Sequence, residues 1–115
     1  MQDNSKDFVR LQHILKAIQE IEEYTNGRNF SDFLNNSMFR FACIKQLEII
    51  GEASNHITPE MQQRFSKVEW AQIVGMRNVF IHEYFGIDAN VAWDIIEFDI
   101  PDLKEKIIEI IDNMS

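Results

Sequence analysis

The chain has one cysteine, two prolines, four glycines and fewer basic than acidic residues, and no apolar run approaches the roughly 20 residues that a membrane-spanning helix needs. Each scarcity excludes something. Cys43 has no second thiol to pair with, and its setting in Phe41-Ala42-Cys43-Ile44 reads as a buried, reduced side chain in a reducing compartment. His13, His56 and His82 are scattered, and neither Cys-x2-Cys nor His-x3-His spacing occurs, so no metal or other cofactor is expected. A Gly-rich phosphate loop is absent. So little Pro and Gly leaves no linker, repeat or low-complexity tract, and residues 1–115 read as one domain. The segment Met1 to Asp7 is polar, without the cationic-then-apolar plan of a signal peptide, which makes the cytoplasm the expected location. Eleven Lys+Arg against 19 Asp+Glu leave a net charge of −8, which argues against broad affinity for duplex DNA but not against a small phosphate site.

What is present is apolar and helical. Hydrophobic residues make up 45% of the 115 positions, nine of them Phe, enough to build a core without staples. From Ser5 to about Thr25, Phe8, Leu11, Leu15 and Ile18 share one helical face that Ile14 and Ile21 widen, and Asn26-Gly27 ends it. A connection through Phe30 and Phe33 leads to a second helix, from Ser37 as cap to about His56. Its apolar residues cover most of its circumference, as in a helix that crosses the middle of a domain or also faces a second subunit. Gly51 in its middle costs about 1 kcal/mol relative to Ala and suggests a close helix crossing there. Thr58-Pro59 opens a short helix to about Phe65, and another runs from about Val68 to Tyr84. After Phe85-Gly86-Ile87, Asp88 caps a further helix, and Asp99-Ile100-Pro101 is expected to start the last one. The fold class is all-α, an up-down bundle of about five helices.

The helix from Val68 breaks the pattern. With Arg77 at 0° and about 100° per residue, Trp70 falls near 20°, Ile81 near 40°, Val74 near 60°, Ile73 near 320° and Phe80 near 300°, which sets Arg77 in the centre of the apolar arc. Tyr84 lies at about 340°, directly above it, while Asn78 and His82 stand one turn apart on the flank beside Ala71 and Gly75. A snorkelling stem with its head at an acidic partner would explain a lone arginine. Convergence suggests more. Arg77 and His82 have Cα atoms roughly 9 Å apart, so a guanidinium, an imidazole and the Asn78 amide border a recess lined by small residues. Such a group suits phosphodiester chemistry without a metal. His82 would take the proton of a ribose 2′-hydroxyl, Arg77 would stabilise charge on the phosphate oxygens, and Asn78 would orient either group. DNA lacks that hydroxyl, so the substrate would be RNA alone.

Arg77-Asn78-Val79-Phe80-Ile81-His82-Glu83-Tyr84 resembles the Arg-x4-His-x-Tyr signature of HepT-like toxins, a branch of the HEPN superfamily of helical ribonucleases. Leu47-Glu48-Ile49-Ile50-Gly51-Glu52-Ala53, Trp70, Gly75-Met76-Arg77-Asn78, His82-Glu83-Tyr84-Phe85 and Pro101-Asp102-Leu103-Lys104 follow that family in order and spacing, over most of the chain. The resemblance implies a homodimeric helical bundle, with Arg77 and His82 of both subunits lining a cleft and cleaving RNA without a metal. It also implies a type VII-like toxin–antitoxin pair. The partner would be an MntA-like minimal nucleotidyltransferase that silences the toxin by transferring AMP to Tyr84. A phosphate on Tyr84 would come within reach of the Arg77 guanidinium and add bulk to the cleft.

Two other readings compete. The acidic charge suits a noncatalytic nucleotide-binding module that partners a nucleotidyltransferase, although such a module has no need of His82. A plain helical dimerisation domain explains the core but not Arg77. For a nuclease, the charge is reconciled if a dimer axis gathers two copies of Arg77, with Arg40 or Lys45, in one electropositive cleft.

Overall fold

The computed structural model describes residues 5–82 and 88–114, with side chains from 6 to 77 and from 88 to 114. The helices are α1 (Ser5–Thr25), α2 (Phe30–Asn35), α3 (Ser37–Asn55), α4 (Pro59–Arg64), α5 (Trp70–His82), α6 (Ala89–Asp94) and α7 (Ile100–Met114), and a π-helical turn, Ile95–Asp99, joins the last two. No strand occurs among the described residues. In α1 the fully buried stripe is Leu11, Ile14, Ile18 and Ile21. Ile14 and Ile21 thus sit at its centre, and Phe8 and Leu15, expected on the main face, border it half-buried. Gly27 ends the helix at φ +73°, a left-handed conformation that costs a residue without Cβ nothing.

The expected connection through Phe30 and Phe33 is a helix instead. Asn29 and Asp32 form a reciprocal capping box: Asp32 N–H donates to Asn29 Oδ1 at 3.0 Å and Asn29 N–H to Asp32 Oδ2 at 3.0 Å. One side chain then anchors this short element. Phe33 is fully buried and meets Phe39 edge-on at 5.6 Å and Trp93 at 5.0 Å. Asn36, not Ser37, caps α3, because its Oδ1 reaches Phe39 N–H at 3.1 Å and Ser37 is already helical.

Helix α3 packs between α1 and α5, which accounts for apolar residues around much of its circumference. Phe39, Cys43, Ile44, Leu47, Ile50 and Ala53 are buried, yet Met38 and Phe41 stay exposed. The turn into α4 is tied to the start of α1. Thr58 N–H donates to Asp7 Oδ1 at 3.0 Å and Thr58 Oγ1–H to Asp7 Oδ2 at 2.7 Å, while the same Oγ1 accepts from Met61 N–H as the α4 cap.

The last helix begins at Ile100, as Asp99-Ile100-Pro101 led one to expect, but no break precedes it. Lacking an N–H, and with a ring that crowds the carbonyl four residues earlier, proline is accommodated by widening one turn, so that Ile100 N–H reaches Ile95 O. The chain from α6 through α7 is therefore continuous rather than broken at Asp99.

Candidate active site

Helix α5 begins where Trp70 Nε1–H donates to Phe65 O at 3.1 Å, and Trp70, Ile73 and Met76 bury its inner face. Arg77 follows on the same helix. The position opposite it on α3 is Gly51, where an added Cβ would lie 2.8 Å from Arg77 N, 3.1 Å from Arg77 Cβ and 3.1 Å from Ile73 O. The crossing suggested by that glycine is thus a contact of backbones, and it is centred on Arg77. The arginine stem lies in the crossing and its head emerges beside α3, leaving the side chain 28% exposed.

Two groups around that head were not singled out by sequence reasoning. Glu52, next to Gly51, accepts from Arg77 Nη1–H at 2.9 Å through Oε2, and its Oε1 meets His56 Nε2 at 3.0 Å. One carboxylate therefore bridges a guanidinium and an imidazole. The hydrogen bond from Arg77, and after it the one from His56, holds the Glu52 carboxyl below its usual range. Arg77 Nε is buried and has no hydrogen-bond partner among the described residues. The sequence carried one signal for this cluster: Glu52 and His56 are four apart, the spacing of neighbours on one helix face.

His82 and Asn78 belong to the backbone of α5, but their side chains lie outside the described residues, as does Tyr84 altogether. The juxtaposition of these three with Arg77 stays an expectation of the helical register. The recess differs from expectation. Gly75 lines a groove of about 200 Å³ with Ile73, Met76, Val91 and Ile95, facing α6 and the π-helical turn, whereas Ala71 is exposed outside it.

The cations proposed to join Arg77 are committed elsewhere. Arg40 Nη1–H donates to Phe33 O at 3.2 Å and Leu34 O at 2.8 Å, covering the free carbonyls at the end of α2. Lys45 stands 3.7 Å from Glu48. Lys104, on α7, binds Glu22 of α1 at 2.9 Å. Among the described residues no cluster of His, Cys, Asp and Glu is arranged to hold a metal ion, and no helix is long and apolar enough to cross a membrane.

Residues 14–110 match the family described as Ribonuclease HepT-like. Over 106 residues the chain is 42% identical to the "Probable ribonuclease HepT" of Thermococcus cleftensis, covering 92% of this chain and 94% of that one. It is 41% identical over 97 residues to "Putative RNase MJ1380" of Methanocaldococcus jannaschii, covering 84% and 89%. With "Putative RNase TTE0752" of Caldanaerobacter subterraneus subsp. tengcongensis it shares 39% over 101 residues, covering 88% and 90%. No solved structure matches the chain. The helical fold and the family match agree, and the chain belongs to the HepT-like ribonuclease family, a branch of the HEPN superfamily.

Proposed function

We propose that residues 1–115 form one HEPN-like unit that acts in the cytoplasm as a metal-independent endoribonuclease, the toxin of a type VII-like pair. The observation that carries this reading is the setting of Arg77. A backbone crossing fixes its stem, and its Nη1–H already donates to an oxyanion, the Glu52 carboxylate, at the surface. A phosphodiester offers anionic oxygens of the same kind to the guanidinium. His82 takes the proton from the 2′-hydroxyl, O2′ attacks phosphorus, Arg77 stabilises the added charge, and Asn78 steadies the reacting groups. Activity is silenced when a cognate nucleotidyltransferase antitoxin transfers AMP to Tyr84.

The enzyme works as a homodimer in this reading. Leu34, Met38 and Phe41 leave large apolar side chains in solvent within eight residues of chain, Met38 at 84% exposure, and a second copy would cover them.

The test is cleavage of total cellular RNA by unmodified protein with EDTA present, beside Arg77→Ala and His82→Ala. EDTA-resistant cleavage, lost in both variants and leaving 2′,3′-cyclic phosphate and 5′-hydroxyl ends, supports the reading. A 3′-hydroxyl product contradicts it. The ion pair on Arg77 and the charge of −8 favour a second reading, a noncatalytic nucleotide-binding module that engages the nucleotidyltransferase. Inactivity of protein whose intact mass shows an unmodified Tyr84 would select that one.

A further inference from the structure

Transesterification of RNA needs two proton transfers, one from the attacking 2′-hydroxyl and one to the departing 5′-oxygen, and a base alone provides for the first. We propose that His56 provides the second, as the general acid of the site. This rests on the ribonuclease reading above and adds to it a residue that is distant from the Arg77–His82 segment in sequence.

The geometry points to His56 in three ways. Glu52 holds Arg77 Nη1 at 2.9 Å on one oxygen and His56 Nε2 at 3.0 Å on the other, so the imidazole and the phosphate-binding guanidinium are separated by the width of one carboxylate. The backbone of His56 is fixed: as the C-cap of α3 it has φ −93° and ψ −2°, and its N–H donates to Ala53 O and Ser54 O. Its side chain is 50% exposed, open to a polymer lying across the surface. The Glu52 carboxylate on Nε2 orients the ring and leaves Nδ1 as the nitrogen that faces substrate. That is the arrangement a general acid requires.

The step balances. As the base removes the 2′-hydroxyl proton, O2′ bonds to phosphorus and the bond from phosphorus to O5′ breaks. The proton on His56 Nδ1 moves to O5′, the products are a 2′,3′-cyclic phosphate and a 5′-hydroxyl, and water reprotonates the ring. Glu52 touches no reacting atom in this scheme and is a positioning residue shared by Arg77 and His56.

An oligoribonucleotide with sulfur in place of O5′ at the scissile linkage tests the assignment, because a thiolate leaves without being protonated. His56→Gln and His56→Asn, checked against the parent by thermal melting, are expected to cleave the ordinary oligonucleotide about 100-fold or more slowly. On the 5′-thio substrate they should come within a few-fold of the parent, while Arg77→Ala stays impaired on both. An equal loss on both substrates would make His56 a support for Glu52 and overturn the acid. Unchanged cleavage of ordinary RNA would make it a surface pair and overturn it as well. If the unmodified parent cleaves neither substrate, the ribonuclease reading itself has failed, and the assignment falls with it.

Discussion

Gly51 of α3 and Arg77 of α5 meet backbone to backbone, so close that a methyl group on Gly51 would stand 2.8 Å from the Arg77 amide nitrogen. This contact brings the next residue on α3, Glu52, within 2.9 Å of a guanidinium 25 residues away in sequence. A glycine in mid-helix, locally unfavourable, is thereby what assembles the charged cluster.

Gly51→Ala should therefore destabilise the protein although alanine is the better helix former. The methyl meets backbone atoms, which cannot rotate away, and the strain of overpacking, about 1–3 kcal/mol, exceeds the roughly 1 kcal/mol regained in propensity. Urea denaturation is expected to show a lower midpoint at unchanged slope. A higher midpoint would mean that the crossing opens freely.

Acid should release Arg77. The Glu52 carboxyl is lowered from its ordinary 4.5, first by the hydrogen bond from Arg77 and then by that from His56, so the clamp is complete above about pH 4.5 and is lost as the pH falls through the lowered value. Carboxyl-carbon NMR should place the Glu52 midpoint below 4.5, moving upward in Arg77→Gln. A midpoint at or above 4.5 in the parent would show that the pair does not persist in solution.

Asp7, 1% exposed, holds both the amide and the hydroxyl of Thr58. Asp7→Ala leaves two partly buried donors without their acceptor and is expected to cost about 1–3 kcal/mol, with Asp7→Asn, which keeps one acceptor oxygen, costing less. Equilibrium unfolding in urea compares them, and equal stability of Asp7→Ala and the parent would contradict the buried tie.

Cys43 should be inert. Burial pushes its thiol up to about 12, against a small opposing effect of Arg28, so almost no thiolate exists near neutrality. Labelling with a disulfide reagent at pH 8 should be slow in native protein and complete within minutes in urea, and fast native labelling would disprove the burial.

Local chemistry made much of this molecule legible in advance. The apolar period placed α1 and α3, Thr58-Pro59 marked the start of α4, Asp88 capped α6, and the wheel set Arg77 in an apolar arc. These features depend on neighbours within a turn or two. What was missed depends on contacts between elements. Helix α2, capped locally by Asn29 and Asp32, is anchored where Phe33 docks on Phe39 and Trp93, and α6 runs into α7 because one π-helical turn accommodates Pro101 without ending the helix.

The site divides in the same way. Sequence alone determined that an arginine, an amide and an imidazole share one stretch of helix, because a helical register fixes such spacing whatever surrounds it. Only the tertiary structure decided that Glu52 and His56 stand at Arg77. Their meeting depends on two helices crossing at a residue without a side chain, Gly51, and helical spacing along one element carries no information about what another lays against it.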